Sequence, residues 1–273
     1  MRFFNNLKFS TKIMAVVVIG FVVSYAINFW VVKDSLEKEA TTAMVEKARA
    51  ITQEAENARI YMSDLRSKYK VYDDKTLLAD VEEQMAGSTD IIADAKKTSF
   101  YWTIPVVAGW NVGQREAARS NFEFKVPKIE PRNPDNEPNK MERAMLLELR
   151  KGGVEELYQV DTEENSLRYM KPVVLTKDCL VCHGTIEDSI TGTLKDPLGL
   201  DMEGWKEGEV HGAFEVIADL APMQAAVAQT LKKSFLFGAV VIPSSLFLIM
   251  LCMKSFVVAP VSVVSTHGTN EAG

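Results

Sequence analysis

Residues 13–32 read IMAVVVIGFVVSYAINFWVV, twenty consecutive side chains without a charge. Residues 234–253, SFLFGAVVIPSSLFLIMLCM, are twenty more. A helix of that length rises about 30 Å, the thickness of a bilayer's hydrocarbon core. Lys12 and Lys33 bracket the first run, and Lys233 and Lys254 the second. A buried helix of a soluble protein seldom stays uncharged for so long, because one face usually meets water. Tyr25, Phe29 and Trp30 lie near one end of the first run, where amphipathic rings favour the headgroup region. A signal peptide is the rival reading of residues 1–26. The run is too long for a typical h-region, and Val31-Val32-Lys33 lacks a small-residue cleavage site. Pro243 is compatible with a membrane helix. The expectation is two membrane spans enclosing a hydrophilic block.

Working outward, residues 1–12 carry Arg2, Lys8 and Lys12 with no acidic residue, which predicts a cytoplasmic N-terminal tail. The second span then returns residues 254–273 to the cytoplasm. Residues 33–233 fall outside, in the periplasm of a bacterial inner-membrane protein. That block holds 27 basic and 36 acidic residues, an acidic balance that argues against nucleic acid as a partner. The full 273 residues, 47% hydrophobic and 25% charged, exclude a disordered or low-complexity chain.

Chemistry concentrates at one place. Cys252 lies in the second run and His267 in the tail, so the outer block has two cysteines, Cys179 and Cys182, followed at once by His183. Asp178-Cys179-Leu180-Val181-Cys182-His183-Gly184 is a CxxCH motif, the signature of covalent haem c attachment. Two thiols three residues apart reach the two vinyl groups of one porphyrin, and the adjacent imidazole is directed at the iron. A disulfide would not require the histidine. A thioredoxin-like pair needs a βαβ setting, and a zinc site needs four ligands, for which the outer block adds only His211 as a further soft ligand. One haem c, held by Cys179 and Cys182 with His183 as proximal ligand, is the leading reading. Haem c is attached outside the inner membrane, where charge alone had placed the segment.

The outer block reads as helix, then sheet, then helix. Ser35–Tyr72 predicts one long helix whose seam, Ala48, Ile51, Ala55, Ala58, Met62, Leu65, Tyr69 and Tyr72, recurs every 3.5 residues. Such a seam suits either a second subunit or the helix's own domain. Thr76–Ala95 predicts a helix broken at Gly87-Ser88, and Ile104–Ala118 another, opened by Pro105. Asn121–Val126 alternates as a strand, and Pro127–Pro138 is an ordered loop. Met141–Arg150 predicts a helix stopped at Gly152-Gly153. Strands are expected at Leu157–Asp161, Leu167–Leu175 and Glu209–Ala218, with a loop over Thr185–Gly208. From Asp219 or Pro222 a helix should run into the second span. Turns between strands, without crossover helices, make this an α+β fold with an antiparallel sheet.

Three further blocks carry a resemblance: Thr103-Ile104-Pro105-Val106-Val107-Ala108-Gly109-Trp110, Phe122–Pro127 with Pro131–Pro138, and Gly204–Phe214. With Met170–Val174 leading into the CxxCH motif, residues 35–220 resemble the c-type haem, PAS-like periplasmic sensor domains of methyl-accepting chemotaxis proteins and sensor histidine kinases. The resemblance implies a PAS/Cache-type sheet holding one haem c, with conformational change passed through the flanking helices. Those receptors continue into a HAMP domain and an output module, whereas here twenty residues follow the second span. Val258-Ala259-Pro260-Val261 resembles the start of a HAMP helix, so the chain is expected to be a truncated receptor or to act through a separate cytoplasmic output protein.

The sixth iron position is open at this stage. The family implies a helix Met, a Cys or water, and the outer block has no spare Cys. Met62 and His211 are the distal candidates, against ordinary roles in the helix seam and the last strand. Met44, Met170 and Met202 are other thioethers. Arg132 and Lys171 could pair with propionates, and Tyr101 and Trp102 could shelter the porphyrin. No catalytic triad, phosphate loop or paired-carboxylate signature points to an enzyme. The expected function is a haem sensor of redox state or of a small gas ligand, dimeric through its membrane-proximal helices. The rival is a membrane-anchored monohaem cytochrome serving redox partners.

Overall fold

The computed structural model describes residues 9–255. Most of the basic N-terminal tail, the HAMP-like Val258–Val261 and His267 lie outside the described residues. Helix α1, Phe9–Ser63, makes the first apolar run and the long helix one element, prolonged by a π-helical turn, Asp64–Lys68. The expected end at Tyr72 is corrected to Lys68. Lys70 takes a left-handed φ of 49°, and bonds from Tyr69 N to Asp64 O (2.8 Å) and Val71 N to Leu65 O (2.9 Å) close the helix.

The chain divides into two compact units, residues 1–40 with 222–273, and residues 41–221. In the first, α1 and the last helix, α8 (Ala221–Met253), are each long and apolar enough to cross a membrane. Their large apolar side chains face outward, as with Val16 at 63% and Phe237 at 72% exposure. The two runs touch where Tyr25 donates to Ser234 O at 2.9 Å. Gly238 permits that approach, since a Cβ there would lie 2.4 Å from the Tyr25 ring.

The second unit is α+β. Helices α2 (Asp74–Met85), α3 (Ile91–Ala95), α4 (Ser99–Trp102) and α5 (Pro105–Arg119) precede strand β1 (Glu123–Lys125); α6 (Lys140–Arg150) precedes β2 (Leu157–Asp161) and β3 (Ser166–Val174); α7 (Leu180–His183) leads to β4 (Val210–Asp219). The sheet is antiparallel throughout, in the order β1-β4-β3-β2. Alternation along each strand sends Leu167, Tyr169, Phe214 and Val216 to one face and Arg168, Met170, Ala213 and Glu215 to the other. On the first face Gly109 of α5 lets Phe214 and the α1 backbone at Ala55 come so close that a Cβ would sit 2.8 and 2.7 Å from them. On the second, α6 lays Met145, Leu146 and Leu149 over Met170 and Ala213. A capping box between Asn139 and Glu142 starts α6.

The break in Thr76–Ala95 falls where Gly87 marked it, and β2 has the expected bounds. Strand β1 is three residues long, not six. Asn121 is left-handed at φ 55°, Phe122 N closes α5 onto Ala117 O at 2.9 Å, and Pro127 has no N–H to donate. Ala48, Ile51 and Ala55 of the seam are buried within this unit, while Tyr69 is exposed.

Candidate haem site

The candidate site is built where β3 leaves the sheet. Leu175 is tied to the Gly208-Glu209 segment at the exit: its N donates to Glu209 O at 3.0 Å, and Gly208 N donates to Leu175 O at 2.9 Å. The chain then turns through a 3₁₀ segment, Lys177–Cys179, into α7. On one helical turn, positions i, i+3 and i+4 share a face. Cys179, Cys182 and His183 therefore point together and line one cavity of about 400 Å³, within the range of small-molecule and cofactor sites. Both cysteines are free thiols. Cys179 Sγ is 3.4 Å from Thr176 Oγ1 and 4.0 Å from Arg59 Nη1, and burial pushes the Cys182 thiol up to about 12.

The cavity walls are mainly apolar, with Phe100, Ile104, Val126, Val173 and Leu198 among them, and four cations, Arg59, Arg66, Lys128 and Arg132, reach it against two acids, Asp74 and Asp178. An apolar slot with a cationic rim suits a large flat molecule that carries carboxylates. Two thiols and an imidazole on one wall add the donor set of a c-type attachment, so the residues present fit that group.

His183 has a specific neighbour. Its Nδ1 meets a carboxylate oxygen of Glu203. Glu203 reaches it because the following residues are tied to α7: Gly204 N donates to Gly184 O at 2.8 Å and Trp205 N to His183 O at 2.9 Å. Gly204 turns there at φ 72°, a region that costs glycine little. The same carboxylate takes Lys128 Nζ and lies 3.5 Å from Arg132 Nε and 3.5 Å from His211 Nε2. Burial would raise Glu203, but His183 and Lys128, with His211 close by, hold it far below the usual carboxylate range. Burial lowers both imidazoles, His211 to about 4, so both are neutral at neutral pH, the form a metal ligand requires. Arg132, expected as a surface or propionate residue, is half-buried and clamps the loop, with bonds to Asp196 Oδ2 (2.7 Å), Cys182 O (2.6 Å) and Asp201 O (2.6 Å).

The distal candidates are placed differently. His211, on β4, stands beside His183 with ring centres 4.3 Å apart. Metal–nitrogen bonds of about 2 Å on either side of one ion set opposed ring centres about 6 Å apart, so the pair as placed does not straddle an iron. His183, Glu203 and His211 keep ligand atoms within 4.8 Å of one another, which would also suit a transition metal. The buried Nε2 of His211 has Glu203 as its polar neighbour, at 3.5 Å and without the geometry of a full hydrogen bond. Met62 is not among the cavity-lining residues, and its Sδ receives the Tyr72 hydroxyl at 3.6 Å. Met170 is fully buried under α6. Tyr101 lines the cavity, whereas Trp102 is half exposed.

The model of the Tll0287-like family matches residues 37–218, two thirds of the chain. The chain belongs to the Tll0287-like family. No curated protein matches. Among solved structures, the crystal structure of the cyanobacterial haem protein Tll0287 is similar at 16% identity, over 53% of this chain and 89% of that one, with a TM-score of 0.35. The region matched by the Tll0287-like family takes in Cys179, Cys182, His183, Glu203 and His211 and excludes both apolar runs. Glu203, Lys128, Arg59 and Arg66 are site residues that sequence reasoning missed. Arg59 follows Ala58 of the helix seam, which is a weak signal. Glu203 lies in an aperiodic loop that offers none beyond its place next to the block starting at Gly204.

Proposed function

We propose that this chain is a two-pass membrane protein whose periplasmic PAS/Cache-like domain carries one covalent haem c and senses redox state or a small ligand. Membership of a family whose namesake is a haem protein supports haem binding, and the CxxCH motif, on one face of the turn that runs from the 3₁₀ segment into α7, supports covalent attachment. Cys179 and Cys182 form the thioethers, each thiol adding its sulfur and hydrogen across a vinyl group. His183 presents Nε2, since Nδ1 is taken by Glu203. Arg59 and Arg132 bring positive charge to the cavity wall, each paired within the chain, with Glu56 and with Asp196. When bound, haem supplies an iron centre that changes oxidation state and takes small axial ligands. The two apolar helices, with the basic residues before the first, support the inner membrane and a periplasmic domain.

One observation favours sensing over electron transfer. Among the described residues no Met lines the cavity, and its histidines, His183 and His211, stand side by side. A carrier holds two protein ligands in both oxidation states, whereas an exchangeable sixth position makes a switch. To act as one, a signal must bind the two states with different affinity. The helices leading into the membrane are the output levers, working through a dimer or a separate cytoplasmic protein.

Full-length protein, expressed with the haem-ligation machinery, should give a Soret band that survives denaturation and whose ferrous form shifts on adding CO. A six-coordinate low-spin spectrum unchanged by CO in either oxidation state would favour the electron carrier instead.

A further inference from the structure

The carboxylate of Glu203 is shared by two imidazoles and two cations, and the proposed function uses only the His183 contact. Building on the haem reading, we propose that Glu203 is the positioning residue of the proximal ligand. It accepts the Nδ1 proton of His183, and its negative charge biases the bound iron toward the ferric state. Lys128 works against it by neutralising that charge.

Three observations carry this. The Glu203 contact is to Nδ1, so Nε2 is the nitrogen left for a metal. The contact is built in, because backbone bonds at Gly204 and Trp205 attach the Glu203 segment to Gly184 and to His183 itself. The carboxylate is sheltered, its side chain 21% exposed, and it is held by Lys128, 10% exposed, in surroundings where charges are little screened. Metal-bound histidines usually give their second N–H to an acceptor, and a carboxylate makes the imidazole more basic than a neutral carbonyl does. A more basic imidazole donates more strongly to iron and favours the higher oxidation state, one of the recognised ways a protein tunes haem. If Lys128 acts through Glu203, removing it strengthens the carboxylate's effect.

The test uses the full chain in detergent, as wild type, E203Q, K128Q and the double variant. Covalent haem is read by in-gel stain, the midpoint potential by optical titration, and the Fe–His stretch by resonance Raman. Haem should remain attached to E203Q, since the thiols carry it. Its midpoint should rise and its Fe–His frequency fall. K128Q should move the midpoint the opposite way, and that shift should shrink in the E203Q background, because coupled residues are not additive. A merely structural ion pair would not produce opposed, coupled shifts. Haem-loaded E203Q with the wild-type potential and Raman frequency would overturn the assignment while leaving the haem reading intact. If E203Q does not load, E203D and K128Q decide: a wild-type-like midpoint in E203D with a lowered one in K128Q supports the assignment, and an unmoved K128Q overturns it. A wild-type chain without covalent haem overturns the haem reading itself.

Discussion

Two sheltered glutamates, the partly buried Glu203 beside the cavity and the fully buried Glu215 in the middle of β4, have opposite electrostatic fates. Glu203 meets His183, His211, Lys128 and Arg132, a surplus of donors that keeps it ionised. Glu215 is fully buried and has one cation, Arg168 at 3.1 Å. Arg168 also serves Glu142 (2.9 Å), Asp161 (3.1 Å) and Glu164 (2.5 Å). Burial, and then the charge of Glu142, push Glu215 up to about 8. Lys125, 2.8 Å from Glu142, helps keep that partner ionised. Burial pushes both carboxyls up, the deeper Glu215 more strongly than Glu203, and the donors within reach hold Glu203 ionised against it. The donor-rich cluster faces a cavity that can admit a ligand, whereas the donor-poor one fastens α6, β3 and β4 to one another.

Arg168 is the most sensitive point of that contrast. Replacing it with Met leaves several buried carboxylates without their shared cation, and we expect a loss of about 3–5 kcal/mol in chemical denaturation of the detergent-solubilised chain. A loss under 1 kcal/mol would mean that the cluster is not buried as the contacts indicate.

The next effect is in pH. The folded-state pKa of Glu215 lies above its unfolded value, so its proton stabilises the fold at low pH. That contribution fades as pH rises from about 4.5 through about 8. At about 1.4 kcal/mol per unit, the span is at most on the order of 5 kcal/mol. E215Q should flatten the decline and be more stable than wild type at pH 8. Parallel pH–stability curves for the two proteins would break the distinction drawn between the glutamates. The smallest effect belongs to the start of α6. Asn139 caps the helix through Glu142 N at 2.8 Å, and Glu142 returns a bond to Asn139 N at 2.8 Å. N139A should cost about 1 kcal/mol, and more if freeing Glu142 also loosens the Arg168 cluster.

How much of this was legible follows from the range of the signals. The apolar runs, the helix opened by Pro105, the break at Gly87 and the alternation of β3 and β4 are local patterns, and the structure reproduces them with ends shifted by a few residues. Where the ends moved, left-handed residues at Lys70 and Asn121 were responsible, and neither is a glycine that would have marked the spot. The CxxCH motif announced Cys179, Cys182 and His183, because a single turn of chain holds all three. Met62 was attractive as a helical thioether, but the direction of its side chain depends on where Tyr72 lies.

Spacing within a turn and periodicity within an element are short-range properties, and the amino-acid order by itself determined them: two long apolar helices, an α+β block between them, and one thiol–thiol–imidazole motif. Which acceptor His183 receives, that His211 lands beside it, and that Arg132 turns inward were decided only by tertiary structure. The reason is physical. Glu203 and Arg132 sit in aperiodic loops whose course is set by ion pairs and backbone bonds between segments 20 to 69 residues apart, and no local rule encodes such a meeting.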